Sequence, residues 1–262
     1  MKSCQLLSVT ALLFTFSFTW ISPADKWIIE KKSSYTLYYT NLDADKKSSY
    51  CTLLDKGITA VKSFSGDKFS RNFDVYIHPN RASLDAQWQK DWGMPDFKSE
   101  CWMVASGIAT RLDMIAPASW DKEACEHVYA DSTKTRQLIA HELFHVYHGQ
   151  RNASPDFSEV KNTDWFVEGF ATYASGQCDE KRMNQVSKSI EDNTAPEALD
   201  DFWKGQNKYG WSGSMVMFID RKYGRKKLME LLPLTSGEQV LNSLKITEKE
   251  LVEGWKEFIK SK

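Results

Sequence analysis

The spacing of hydrophobic residues divides the chain into a first part rich in strands and a second part rich in helices. Residues 35–39 and 73–77 alternate or cluster as β-strands do, while residues 50–64 between them have helical spacing. After residue 130 the pattern is mostly helical. We therefore expect an α+β fold, with a mixed sheet lobe at residues 25–118 followed by a mostly helical lobe at residues 119–262.

The clearest helix signal lies near the C-terminus. Thr247 and Glu250 have the spacing of a capping box, in which each side chain accepts a hydrogen bond from the other residue's backbone N–H. Beyond them, four hydrophobic residues recur at helical spacing and should form a buried face: Leu251, Trp255, Phe258 and Ile259. The pattern predicts an amphipathic helix that starts after Thr247.

A second helix is expected from about Lys134 to His148. Residues 131–133 (Asp, Ser, Thr) offer side chains that cap a helix N-terminus, and Gly149 stands where a glycine commonly ends one. Its buried stripe would consist of Ile139, Leu143 and Val146. This helix should lie at the junction of the two lobes.

The helix carries the sequence H-E-x-x-H at His141, Glu142 and His145. Residues four apart share one face of a helix, so both imidazoles can reach a single zinc ion. Glu142 lies beside the metal position, where its carboxylate can take a proton from water. Histidine is scarce, five in 262 residues, which argues against a chance match. The pattern predicts the zinc site of a metallopeptidase.

Glu168 is the candidate for a third protein ligand, since catalytic zinc sites usually have three protein ligands and one open position. It follows His145 by 168 − 145 = 23 residues, which leaves room for a loop and a returning helix. Its neighbours are mostly apolar, and burying a carboxylate there is unfavourable unless a cation compensates its charge. The alternative is a surface glutamate stabilised by the start of a helix.

The two motifs resemble those of the gluzincins, zinc peptidases with a His, His, Glu ligand set. The matching residues are His141, Glu142, His145, Trp165, Glu168, Gly169, Phe170 and Ala171. The resemblance spans residues 110–224, and the overall pattern is similar to small secreted domains described as peptidase-MA-like. It implies a zincin-like fold, one Zn²⁺ held by His141, His145 and Glu168, and Glu142 as the general base.

The resemblance also implies a role for Tyr209. In the aminopeptidase-like branch of this family, a tyrosine leads the helix that follows the ligand helix, and its hydroxyl stabilises the tetrahedral oxyanion. Residues 209–215 and the continuation to Gly224 are similar to that helix. The glycine falls four residues after the tyrosine here, at Gly213, instead of three. Tyr209 is therefore the expected oxyanion donor.

This chain departs from the aminopeptidases at residues 106–115, which read as a strand that can line the cleft and pair with an extended peptide. The aminopeptidases carry G-x-M-E-N there, and its glutamate binds the free amine of the substrate. This chain has no such glutamate, so an endopeptidase is favoured. Thr172 stands four residues after Glu168, where the pattern has an aspartate, so no residue is assigned to orient the histidines.

Residues 1–24 read as a secretory signal peptide. A short positive start is followed by an apolar stretch at residues 6–21 and a small-residue cleavage site at residues 22–24. Cleavage after Ala24 would leave 262 − 24 = 238 residues. A membrane anchor is the alternative, but the stretch is short and rich in hydroxyl groups. We expect a secreted or periplasmic protein with no stable membrane insertion after the signal is removed.

Four cysteines remain after the signal peptide, namely Cys51, Cys101, Cys125 and Cys178. An even number in an exported chain suggests two disulfides, for which three pairings are possible. A bond between Cys101 and Cys125 would close a local loop before the H-E-x-x-H helix. Free buried thiols are the alternative.

Composition narrows the choice of partners. The chain has 34 basic and 35 acidic residues and a net charge of −1, so charge makes no case for binding nucleic acid or anionic lipid. A peptide or protein is the expected substrate, and the oligomeric state stays open. Four tryptophans, which can line an aromatic groove but more often belong to a core or rim, are Trp88, Trp92, Trp102 and Trp120.

Two other functions stay open beside a zinc peptidase. One is a zinc amidase that acts on a non-protein or cell-wall amide. The other is a zinc-containing binding module without turnover, against which the intact Glu142 argues, because a binding module needs no general base.

Overall fold

The computed structural model of the protein describes residues 26–261. This part of the chain contains five strands, β1 (Ile28–Lys31), β2 (Tyr35–Tyr39), β3 (Phe73–His78), β4 (Ala105–Ile108) and β5 (Arg111–Ile115). It also contains ten α-helices, α1 (Lys47–Ser65), α2 (Arg81–Trp92), α3 (Trp120–Glu123), α4 (Ser132–Gly149), α5 (Asp164–Ala174), α6 (Glu180–Glu191), α7 (Lys208–Tyr223), α8 (Arg225–Leu231), α9 (Gly237–Leu244) and α10 (Glu248–Lys260). A mixed sheet followed by a mostly helical region confirms the α+β prediction.

The strands form one sheet in the order β1-β2-β3-β5-β4. β2, β3 and β5 run parallel, whereas β1 and β4 are antiparallel to their neighbours. The prediction of a single strand at residues 106–115 is wrong, because Ala109 and Thr110 form the turn of a hairpin between β4 and β5. The hairpin makes β4 an edge strand.

A continuous hydrophobic core joins the sheet to the helices, from Tyr35 in β2 to Ile259 in α10. Alternate residues of β2 and β3 point into this core, as expected for strands with one fully buried face. Helix α4 packs against α1, α5, β4 and β5. Every residue from Leu138 to Gly149 is therefore buried, including its polar ones.

The predicted helix boundaries are largely confirmed. At the start of α10, the N–H of Glu250 donates to Thr247 Oγ1 at 3.3 Å and the N–H of Thr247 donates to Glu250 Oε2 at 2.9 Å. Asp131 caps α4 by accepting the N–H of Lys134. Gly149 is the last residue of α4 and not the residue after it, so the predicted end is off by one residue. It lies against Pro155, where a Cβ would collide with the carbonyl oxygen.

Cys101 and Cys125 form a disulfide, which fits an extracytoplasmic protein. The prediction of a second disulfide is wrong. Cys51 lies on α1 and interacts with Tyr35 of β2, whereas Cys178 Sγ lies against Gly213 of α7. The two cysteines therefore belong to different parts of the core.

No helix within residues 26–261 combines the length and the apolar character needed to cross a bilayer. The expected signal peptide, residues 1–24, lies outside the described residues.

Candidate metal centre

Helices α4 and α5 bring His141, His145 and Glu168 together. The Nε2 atoms of the two histidines are 3.0 Å apart. Glu168 Oε2 lies 3.3 Å from Nε2 of His141 and 3.5 Å from Nε2 of His145. The i, i+4 spacing aligns the histidines on α4, and the loop between the helices returns the chain so that Glu168 faces them.

This triangle of atoms suits a metal ion. Atoms bound at 2.0–2.1 Å to a tetrahedral ion are about 3.3–3.4 Å apart, close to the three distances observed. Within residues 26–261, no other set of three or more His, Cys, Asp or Glu side chains has this compact geometry. Two imidazoles and a carboxylate are also ligands that zinc accepts. The three side chains can therefore hold a metal ion.

Charge within the cluster explains why Glu168 stays ionised. Burial alone would raise the pKa of its carboxyl, but attraction to His145 and hydrogen bonds with both histidines hold that pKa well below its usual range. Burial likewise works against the charged form of His145, and Glu168 reverses this and raises the pKa of the imidazole. A bound cation would itself stabilise the ionised carboxylate of Glu168.

Glu142 lies beside the cluster on the same helix. Its side chain is buried, and burial raises the pKa of the carboxyl above its usual range. A carboxylate with a raised pKa is a stronger base, which suits proton transfer near neutral pH. Edge strand β4 approaches α4 closely at this point, because a Cβ on Gly107 would collide with the carbonyl oxygen of Glu142. The glycine thus brings the strand next to the candidate base.

Helix α7 places Tyr209 beside the cluster, with its ring centroid 6.1 Å from that of His141. Burial, followed by the negative charges of Glu168 and Glu142, raises the pKa of the tyrosine hydroxyl, so the hydroxyl remains a hydrogen-bond donor. Helices α5 and α7 meet without space for a side chain at Gly169, where a Cβ would collide with the carbonyl oxygen of Ser212. This contact fixes the position of Tyr209 relative to Glu168.

In the part of the chain that the structure describes, the imidazole of His141 lacks a hydrogen bond that would fix its orientation. His141 Nδ1 is buried and has no hydrogen-bond partner among the described residues. Thr172, at the position where gluzincins have an aspartate, is fully buried, and its hydroxyl also has no hydrogen-bond partner among these residues. Nothing in residues 26–261 therefore supplies the hydrogen bond that usually fixes the tautomer of such a histidine.

The cluster lies in a cleft of about 640 Å³, a size typical of ligand-binding sites. Residues of strand β4 and of helix α4 line the cleft. Three of the four tryptophans singled out from the sequence also line it, namely Trp88, Trp92 and Trp102. Trp120 belongs to a small hydrophobic cluster instead.

Other cleft residues were missed from the sequence alone. Arg182, Trp203 and Lys208 line the same cleft as His141 and Glu168. Arg182 lies 182 − 168 = 14 residues after Glu168 in an otherwise ordinary amphipathic helix, and it carries no motif. Only the position of Lys208 directly before Tyr209 could have drawn attention to it.

Comparison with protein-family models and with curated proteins finds no match to this chain. The relation to gluzincins therefore stays a prediction that rests on the motif residues themselves.

Proposed function

We propose that the protein is a zinc-dependent peptidase of the gluzincin type. It would act outside the cytoplasm, as a secreted or periplasmic protein. The observation that carries this proposal is the triangle of His141, His145 and Glu168, with the buried carboxylate of Glu142 next to it. A ligand set that leaves one position open, beside a base in a cleft, is the arrangement used for metal-assisted hydrolysis.

A few side chains would carry out the hydrolysis of the peptide bond. His141, His145 and Glu168 would hold zinc, which would supply a Lewis acid for the attacking water and for the carbonyl of the substrate. Glu142 takes the proton of that water and passes it to the departing amine. Tyr209, kept protonated by its raised pKa, donates a hydrogen bond to the oxyanion that forms as the carbonyl is attacked.

Strand β4 is suited to bind an extended peptide. It pairs with β5 on one side only, so its other edge offers backbone N–H and C=O groups to a further strand. Gly107 lies against Glu142, so a peptide paired with β4 would pass beside the candidate base. Residues Ala105–Ile108 contain no acidic side chain to bind a free amine, which supports an endopeptidase over an aminopeptidase.

The direct test compares the mature chain, residues 25–262, with its Glu142→Gln variant. Each is loaded with zinc and mixed with a diverse peptide library, and the products are identified by mass spectrometry. We expect cleavage by the wild type and a loss of rate of about 10²–10⁴-fold in the variant, with the zinc content unchanged. Glu191→Gln, which removes an exposed carboxylate from the end of α6, is the matched control.

The alternatives give different results in the same assay. A fully active Glu142→Gln protein would disprove the assigned mechanism. Zinc binding without cleavage of any peptide would favour a zinc amidase acting on a non-protein amide, or a binding module without turnover.

A further inference from the structure

Two cationic side chains flank Tyr209 in the cleft. The guanidinium carbon of Arg182 lies 5.8 Å from the centroid of the Tyr209 ring, and Nζ of Lys208 lies 5.6 Å from it. Both cations are partly buried, and both line the cleft that contains the metal cluster. Two positive charges therefore lie beside the candidate oxyanion donor, in a cleft that also contains the carboxylates of Glu142 and Glu168.

Neither cation forms an ion pair with a carboxylate within residues 26–261. By contrast, the partly buried Arg111 and Arg225 pair with Asp113 and Asp220. Asp179, three residues before Arg182, uses its carboxylate to accept the backbone N–H of Arg182 at 2.8 Å. It caps α6 and forms no ion pair with the guanidinium.

Arg182 has unused donors. Its Nη1 donates to the carbonyl oxygen of Gln177 at 3.0 Å and to the Gln177 side chain at 3.4 Å. No other nitrogen of this guanidinium has a hydrogen-bond partner in the described residues, and none is buried without one. A guanidinium with a free edge matches the two oxygens of a carboxylate.

A small second cavity of about 80 Å³ extends from the cleft at this point. Arg182 and Tyr209 line both the cleft and the cavity, and the cavity wall is otherwise mainly polar, with Gln185, Gln206 and Asn207. Such a wall can hydrogen-bond a small charged group but offers little to a large apolar side chain. The cation of Lys208 lies nearby, over the rings of Trp203 at 4.5 Å and Trp102 at 5.0 Å.

We propose that Arg182, assisted by Lys208, binds a carboxylate of the substrate, so that the site prefers peptides with a negative charge next to the bond to be cleaved. This inference rests on the proposed function, since it names the substrate class of that site. The carboxylate can come from an Asp or Glu side chain or from the free C-terminus of the peptide.

The test measures binding, so that it does not depend on turnover. Zinc-loaded Glu142→Gln protein is titrated with three octapeptide libraries that have acetylated N-termini. Two of the libraries have amidated C-termini. They differ only at one position, which is moved along the peptide and is Glu in the first library and Gln in the second. The third has the Gln sequence and a free C-terminal carboxylate. Calorimetry gives the apparent Kd for each library.

We expect at least one acidic library to bind about tenfold or more tightly than its neutral counterpart, as for a hydrogen-bonded charge pair. The library that gains affinity identifies the source of the carboxylate. Adding Arg182→Gln to the protein should remove the difference, and Lys208→Gln should reduce it. Lys181→Gln is the matched control, because it removes an exposed charge next to Arg182 and should leave the preference intact.

Two results would overturn the inference. One is equal binding of all three libraries. The other is a preference for acidic peptides that survives Arg182→Gln, which would mean that the carboxylate is bound elsewhere, for example by the metal. If Arg182→Gln lowers Tm strongly, Arg182→Lys makes the same test, since it keeps the charge but loses the bidentate geometry.

Failure of the proposed function has a separate signature. A wild-type protein that cleaves no peptide, while the Glu142→Gln protein binds acidic peptides through Arg182, would refute the peptidase and leave the carboxylate site standing. Conversely, if the wild type cleaves peptides but their binding does not depend on Arg182, the peptidase stands and the carboxylate site is refuted.

Discussion

His148 lies one turn beyond His145 on the same helix but has a different environment. Its Nε2 hydrogen-bonds the carbonyl oxygen of Leu232 at 3.1 Å, and the rings of Phe157, Phe166 and Phe170 surround it. His148 follows His141 by seven residues and lies on nearly the same side of the helix, but about two turns further along its axis, where these rings and not Glu168 face it. A histidine on the helix that carries H-E-x-x-H is here part of the core.

Burial makes His148 a source of acid sensitivity. It lowers the pKa of the imidazole to about 3, whereas an unfolded histidine titrates near 6.5. Between these values the unfolded chain binds a proton that the folded chain does not. The free energy of unfolding should therefore fall as the pH decreases from about 6.5 towards 3, by up to about 1.4 kcal/mol per pH unit.

The matched variant is His148→Phe, measured by urea unfolding at several pH values in the presence of a chelator. Phenylalanine fits among the neighbouring rings, and Leu232 still accepts a hydrogen bond from the Asn152 side chain at 2.7 Å. We expect a shallower dependence of stability on pH in the variant. An unchanged slope would show that His148 is not responsible for the acid sensitivity.

Tyr209→Phe tests the candidate oxyanion donor. Burial and nearby charges, but no hydrogen bond from another described residue, act on the Tyr209 hydroxyl, so its removal should leave Tm nearly unchanged. Loss of an oxyanion donor commonly lowers kcat about 10²–10³-fold. Steady-state kinetics on a peptide that the wild type cleaves gives the measurement. An unaltered kcat would remove Tyr209 from the mechanism.

At the scale of elements, the packing of α5 on α7 decides how Glu168 and Tyr209 face each other. Gly169 follows Glu168 directly and meets the backbone of Ser212. From the opposite helix, Gly213 packs against Thr172, where a Cβ would lie 2.8 Å from the Thr172 methyl carbon. These two glycines let the helix axes approach closely, and so α7 carries Tyr209 to the cluster.

Gly169→Ala should disturb both stability and the site. The added methyl group meets a backbone carbonyl that cannot rotate away, so we expect a loss of about 1–3 kcal/mol in the free energy of unfolding and weaker metal binding. Urea unfolding and a zinc titration measure the two effects. Gly57→Ala is the control, because its methyl group meets only the end of the Leu143 side chain, which can move. Equal effects of the two changes would contradict this account.

Secondary structure was predictable where local signals agree and was misjudged where a turn is weakly marked. The capping box at Thr247 and the helix around His141 are recognisable because a few neighbouring residues determine them. The turn at residues 109–110 has the sequence Ala-Thr, which lacks the glycine or asparagine typical of tight hairpins. The β4–β5 hairpin therefore reads as one continuous strand.

At the scale of the whole molecule, a metal ion would link two consecutive helices across the loop that separates them. His141 and His145 belong to α4, and Glu168 belongs to α5, with a long loop between them. Binding of zinc to the folded state alone stabilises it by about 4 kcal/mol when free zinc is 1,000 times its Kd. The effect should be visible in global unfolding.

We therefore expect a chelator to lower Tm by about 10 °C for a chain of this size, and added zinc to restore it. Differential scanning calorimetry measures the shift. Glu168→Gln should show a smaller shift than the wild type, and Glu191→Gln should show the same shift as the wild type. A Tm that does not respond to zinc would contradict the assignment of this cluster as a zinc site.

The sequence by itself determined the features that depend on residues close together in the chain. The i, i+4 histidines, the candidate base between them and the α+β order of elements follow from local periodicity and motif spacing. The tertiary structure decided the exposed edge of β4, the formation of one disulfide instead of two, and the meeting of Arg182, Lys208 and Tyr209 in one cleft. These features depend on distances between residues far apart in sequence, and packing of the whole core sets those distances.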